Sequence, residues 1–195
     1  MSKKFMKSEL EILLDALCDG LRQEVRQRRL ANLVTGQDFS IVNEREMGIA
    51  SFIALQLRSL GFAVQLEAYF EGDSKRRPDF GIWLPASKKY IYLELKQIAW
   101  GDEGKQYYSA NAIEEIKKLN GETDPRNSLN GLIAFGISSS SEKVERLLWL
   151  RLKELSQKIT SLYPHYEEIG LRYVDFQGMA KKTSYGVIGL WFRKQ

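Results

Sequence analysis

The run Pro78-Asp79-Phe80-Gly81-Ile82-Trp83-Leu84, followed after Pro85-Ala86-Ser87-Lys88-Lys89 by Tyr90-Ile91-Tyr92-Leu93-Glu94-Leu95-Lys96-Gln97-Ile98, decides how this chain is read. Both apolar stretches are rich in β-branched and aromatic residues, and residues 85–89 carry a turn signal, so the segment reads as an antiparallel hairpin. Side chains alternate faces along a strand. Glu94 and Lys96 therefore share one face with Tyr90 and Tyr92, while Ile91, Leu93 and Leu95 point to the other, the core face. Asp79 opens the preceding strand. Folding the chain at residues 85–89 brings it to Glu94 and Lys96, and Trp83 shares its face, where such a residue is more often a core or rim residue than a base-stacking platform.

Two carboxylates and an ammonium on one small patch need a physical reason. Asp79 and Glu94 repel unless Lys96 or a cation neutralises them. A divalent ion between them removes the repulsion and leaves coordination positions for water and phosphate oxygens. Such an ion lowers the pKa of its water and polarises a phosphodiester, and the carbonyl of Leu95 is a further candidate ligand. Lys96 can orient or deprotonate water, or stabilise developing negative charge. The competing reading is a salt-bridge cluster on an edge hairpin. Lys75, Arg76 and Arg77 lie beside Asp79, where cations suit a phosphodiester backbone; an ordinary charged turn has the same composition. Gln97 has the wrong parity for the face of Lys96 unless the strand bulges.

Composition narrows the chemistry. The 195 residues are 44% hydrophobic, enough for one domain with a sizeable core. The single cysteine, Cys18, permits no internal disulfide and reads as a buried small hydrophobe. With His165 as the sole histidine, zinc sites built from several Cys and His ligands are excluded. His165 sits in the turn Tyr-Pro-His-Tyr with no nucleophile elbow elsewhere, which disfavours a Ser-His-Asp hydrolase. Carboxylates and lysines must carry any catalysis, and carboxylates favour magnesium or manganese. The formal charge of +4 is a mild bias toward polyanions. No apolar stretch has membrane-spanning length, and the charges scattered through the first residues do not form a secretory signal, so a cytoplasmic protein is expected.

Working outward from the hairpin, residues 62–70 read as a strand and residues 43 or 44 to 60 as a helix, with Asn43 able to cap it and Gly61 in the stop position. A helix is expected from about Ser8 to Leu33, with Ser8 and Glu11 in the form of a capping box. Leu13, Leu17, Leu21 and Val25 form its stripe, and Arg22, Arg26, Arg28 and Arg29 a basic end that is either solvated or a phosphate-contacting arm. After the hairpin come a helix near Ser109–Leu119, a buried strand at 131–137 and a long helix at 142–162. Val144, Leu148, Leu152, Leu155, Ile159 and Leu162 form the stripe of that helix, and Glu142 and Glu145 suit its positive end. Late strands lie at 171–176 and 185–192. The result is an α/β protein, a mixed sheet flanked by helices, divided as an N-terminal helical extension (1–42) and one compact domain (43–195).

Pro78-Asp79, fourteen intervening residues and Glu94-Leu95-Lys96 resemble the signature of the PD-(D/E)XK nuclease superfamily. The family core is a helix, a three-strand antiparallel meander, a helix and a further strand, and residues 44–137 read in that order. The resemblance implies a restriction-endonuclease-like fold and Mg2+-dependent hydrolysis of DNA phosphodiester bonds, with Mn2+ as a substitute ion. Asp79 and Glu94 would bind metal and Lys96 would assist water. Many members add a glutamate from the first helix, for which Glu44 and Glu46 are candidates, Glu44 preferred; either also suits the helix dipole. The helix after the third strand often faces nucleic acid, which nominates Lys105, Gln106, Tyr107, Lys117 and Lys118. A homodimer would suit double-strand cleavage. The alternatives are a non-catalytic nucleic-acid-binding or assembly module with this fold, and an RNA-directed nuclease.

Overall fold

The hairpin is the centre of a seven-stranded mixed sheet in a computed structural model that describes residues 3–37, 46–68, 78–100, 106–107, 109–120, 129–138, 142–175 and 185–194. Strands β1 (Ala63–Leu66), β2 (Phe80–Leu84) and β3 (Lys89–Trp100) form an antiparallel meander. The turn between β2 and β3 occupies residues 85–88, and Lys88 takes a left-handed backbone there with φ of 54°. A two-residue strand, β4 (Gln106–Tyr107), folds back on the end of β3. Strand β5 (Leu129–Ser138) then runs parallel to β3. A parallel neighbour needs a crossover, and α3 (Ser109–Asn120) lies on it. Strands β6 (Tyr166–Asp175) and β7 (Tyr185–Arg193) complete the order β1-β2-β3-β5-β7-β6.

Helices cover both faces. On one, α1 (Lys3–Thr35) and α2 (Glu46–Ser59) bury Leu13, Leu17, Leu21, Ile49, Ile53 and Leu57 against Phe80, Ile82, Leu84, Ile91, Leu93 and Leu95. On the other, α3 and α4 (Glu142–Leu162) bury Ala112, Ile116, Leu148, Leu152, Leu155 and Ile159 against Leu132, Ala134, Val187 and Trp191. Each fully buried large aliphatic side chain contributes about 1.5–3 kcal/mol by leaving water. The aliphatic face predicted for Ile91, Leu93 and Leu95 is thus the core face, and α1 belongs to the same buried cluster as the hairpin. Glu9 of α1, itself buried, reaches that hairpin: its carboxylate accepts from the Ala86 and Ser87 amides at 2.7 and 2.8 Å.

Several boundaries differ from expectation. Helix α1 starts at Lys3, so Ser8 lies inside it rather than at a cap; nothing in Lys3–Lys7 stops a helix, and the capping box is not used. Leu162 is 60% exposed in the last turn of α4, outside the stripe that holds Leu148 to Ile159. Strand β1 stops at Leu66 because Glu67 turns left-handed, with φ of 46°. Helix α2 ends as expected. Gly61 has φ of 88°, and the Phe62 and Gly61 amides donate to Leu57 and Arg58 carbonyls at 3.0 Å, a Schellman close. Cys18 is buried, and desolvation pushes its thiol up to about 12, as befits an inert packing residue. Among the described residues no helix is long and apolar enough to cross a membrane.

Candidate functional site

Register places the two acidic residues opposite each other. Phe80 pairs with Leu93 and Ile82 with Ile91, so one step beyond the last β2 pair sets Asp79 against Glu94. Asp79 is fixed there from both sides. Its carbonyl accepts from the Glu67 amide at 3.0 Å, extending the β1 ladder past the end of the strand. Its Oδ2 accepts from the Leu95 amide at 2.7 Å, extending the β3 ladder through a side chain. A strand residue directs its N–H and C=O to the same side, so the Leu95 carbonyl also lies on the edge nearest Asp79.

The side chains of Glu94 and Lys96 project to the α3–α4 face, since their β5 partners Leu132 and Ala134 belong to the cluster packed under those helices. Tyr90 and Tyr92 follow the same parity, with rings 5.1 Å apart and nearly perpendicular. The alternation expected of the hairpin is therefore realised. Gln97 pairs with Phe135, a residue of the opposite cluster, and the register shift comes only after it, between Gln97 and Ala99. It stays off the face of Lys96.

Burial and company set the electrostatics of the pair. The Glu94 carboxyl is pushed up from the ordinary 4.5 to about 9. Desolvation is the largest cause, followed by the negative charge of Asp79, a side-chain hydrogen bond between the two acids and the charge of Glu115; Lys96 opposes the shift. A shift in this direction is what a second acid beside Glu94 in a shielded place produces.

Glu115, on α3, was not anticipated from the sequence. Its carboxylate lies 3.9 Å from the Lys96 ammonium and 2.8 Å from that of Lys118 one turn on. Lys96 and Glu115 are both mostly shielded, whereas Lys118 is exposed. The sequence signal is slight: Glu115 adjoins Ile116 of the buried Ala112–Ile116 stripe and has a lysine at i+3. Nothing in that pattern pairs it with Lys96, nineteen residues away across a crossover.

The structure thus brings together Asp79, Glu94, Leu95 and Lys96, adds Glu115, and holds Lys118 at the rim. Lys117 is exposed in the last turn of α3. Glu44, Asn43, Lys75, Arg76, Arg77 and Lys105 lie outside the described residues. Glu46 opens α2 and Gln106 and Tyr107 form β4, but the side chains of these three lie outside them too, as do those of Glu142, Val144 and Glu145.

The donor set can be tested against a hard divalent cation. Among the described residues no group of three or more His, Cys, Asp and Glu side chains forms a cage. Magnesium does not require one: it is usually held by one or two carboxylates and keeps several waters. A shielded acid pair with a backbone carbonyl on the same edge offers oxygen donors of the kind a hard divalent ion takes. Comparison of the chain with protein-family models, with curated proteins and with solved structures finds no match.

Proposed function

We propose that the protein is a metal-dependent nuclease hydrolysing DNA phosphodiester bonds, and that α2–β1–β2–β3–α3–β5 is a PD-(D/E)XK-type core of restriction-endonuclease-like fold. One observation carries this reading: Asp79 and Glu94 converge from adjacent strands, share a hydrogen bond in a shielded position and have the Lys96 ammonium beside them. Asp79 accepts from the Leu95 amide, but Glu94 meets the Asp79 carboxyl and feels that of Glu115, a placement that is costly unless something positive completes it.

Asp79, Glu94 and the Leu95 carbonyl would hold Mg2+ or Mn2+, which when bound supplies a Lewis acid for the phosphodiester. Lys96 sits next to these groups on the α3 side, where its ammonium can orient water and offset the charge that develops on phosphoryl oxygens. Lys118 at the rim suits a neighbouring phosphate as a point charge.

A plasmid-nicking assay with Mg2+, with Mn2+ and with EDTA tests the proposal. Metal-dependent nicking that disappears in Asp79→Ala and falls steeply in Lys96→Ala, with unchanged circular dichroism, is expected. Equal nicking by both variants overturns the residue assignment. Nucleic-acid binding without cleavage under any ion returns the molecule to the non-catalytic module, and cleavage of RNA alone moves the substrate.

A further inference from the structure

The face that carries the acid pair continues, away from α3, into an aromatic surface that the chemistry above leaves unused. Moving from Asp79 and Glu94 toward the hairpin turn, the next cross-strand pair on this face is Gly81 with Tyr92, and the next is Trp83 with Tyr90. Strand β5 begins opposite Ile91, so Tyr90 and Trp83 lie beyond its end. On the outer side, β1 contributes exposed Ala63 and Gln65 to the same face, opposite Trp83 and Gly81. Trp83 is 39% exposed, although Phe80, Ile82 and Leu84 around it are wholly buried.

This surface is built rather than incidental. A Cβ on Gly81 would stand 2.0 Å from the Tyr90 hydroxyl, so glycine is the residue that lets the Tyr90 ring lie across β2. The hydroxyl then reaches β1, donating to Gln65 Oε1 at 3.5 Å. Tyr92 supports the ring edge-on from the side of the acid pair. The result is an aromatic shelf across three strands, with the exposed Trp83 indole opposite Tyr90 at its lip. Exposed Lys88 stands in the turn beyond Trp83, and exposed Lys118 stands at the opposite end beside Glu115. Cations thus bracket an aromatic strip that ends in a candidate phosphodiester site.

We infer that the shelf of Tyr90 and Trp83 stacks unpaired nucleobases, so that the substrate is single-stranded nucleic acid or a single-stranded extension next to the scissile phosphate. The inference rests on the nuclease reading for the position of that phosphate. Trp83 and Asp79 are four residues apart on one strand, about 13 Å, a run of about four nucleotides at stacked spacing and fewer when extended. In a duplex the π faces are occupied by neighbouring base pairs and only edges and backbone are presented. An unpaired base offers a face to an indole, a contact that every base can make and that contributes substantially to affinity.

The test separates binding from cleavage. In EDTA, where no cleavage occurs, a labelled oligothymidylate should bind wild type and quench part of its tryptophan emission. Trp83→Phe should keep the affinity and lose that quench. Trp83→Ala should bind about 10-fold more weakly, with circular dichroism at the assay temperature unchanged. Binding of a blunt-ended duplex of two complementary strands should not respond to either change. Equal oligothymidylate affinity of wild type and Trp83→Ala, or an equal loss for the duplex, overturns the shelf whether or not the protein nicks DNA. Stacking without cleavage in Mg2+ or Mn2+ keeps the shelf and removes the nuclease.

Discussion

The β2–β3 hairpin has a shielded glutamate at each end, and the two are accommodated in opposite ways. At the turn, Glu9 of α1 meets two backbone amides, those of Ala86 and Ser87. At the open end, Glu94 meets a second carboxyl group, Asp79, and feels a third in Glu115. The first arrangement is complete: a negative charge fixed by donors that cannot move. The second is complete only when a proton or a cation is added. The same chemical group therefore serves as a fastener at one end and as an adjustable charge at the other, and the difference lies in what the neighbouring strand presents.

Exchanging the two roles by mutation gives the largest expected effect. Asp79→Ala should abolish metal-dependent nicking and Lys96→Ala should slow it by about 10²–10³-fold, whereas Glu9→Ala should leave kcat unchanged. A kcat loss in Glu9→Ala equal to that in Lys96→Ala would end the distinction between the two ends. Stability should respond in the reverse sense. Glu9→Ala removes two charge-assisted hydrogen bonds beside an exposed turn and should cost about 2 kcal/mol, read as a fall of about 4–8 °C in Tm.

The pH response sharpens the contrast. The folded Glu94 carboxyl is raised from 4.5 to about 9, so the folded state holds the proton more tightly than the unfolded chain. Its contribution to stability is complete below about pH 4.5 and is lost as pH rises through about 9. Melting curves without metal should fall across that window. Glu94→Gln should flatten the fall, matching wild type near pH 5 and exceeding it near pH 9. Mg2+ or Mn2+ should raise Tm most on the alkaline side, with proton release visible when calorimetric titrations are repeated in buffers of different ionisation enthalpy. A metal effect independent of pH would mean that Glu94 does not take part.

The smallest effect concerns Glu115. Glu115→Gln should lower kcat by about 10-fold with KM nearly unchanged, because it loosens Lys96 without touching substrate, and Glu115→Asp should recover part of the loss. Lys118→Ala should do the opposite, raising KM and reducing the salt dependence of binding by about one unit of log–log slope. Identical profiles for the two variants would show that Glu115 acts only through Lys118.

Much of this contrast is legible in the sequence at one end of the hairpin and little of it at the other. The alternation of Tyr90 to Lys96 and the turn at 85–88 are local, so parity alone brings Asp79, Glu94 and Lys96 together. Glu9 is separated from its amide partners by 77 and 78 residues, and nothing in a helix stripe announces which turn it will meet. Glu115 depends on how α3 settles over β3 after the crossover, a packing outcome with no period to read. The short β4 falls below the length at which alternation can be recognised. The extra turns of α1 before Ser8 follow from residues with ordinary helix propensity that carry no boundary signal.

The placement of α1 has a consequence for synthesis. It is made before β6, yet it packs on the face to which β6 and β7 contribute Val174, Ile188, Leu190 and Phe192, and Asp15 awaits Arg172 at 2.9 Å. At ribosomal speeds the intervening chain takes about 10–30 s to appear. For that interval the leucine stripe of α1 has only part of its cover, so truncation within β6 or β7 should damage folding more than their distance from Asp79 suggests.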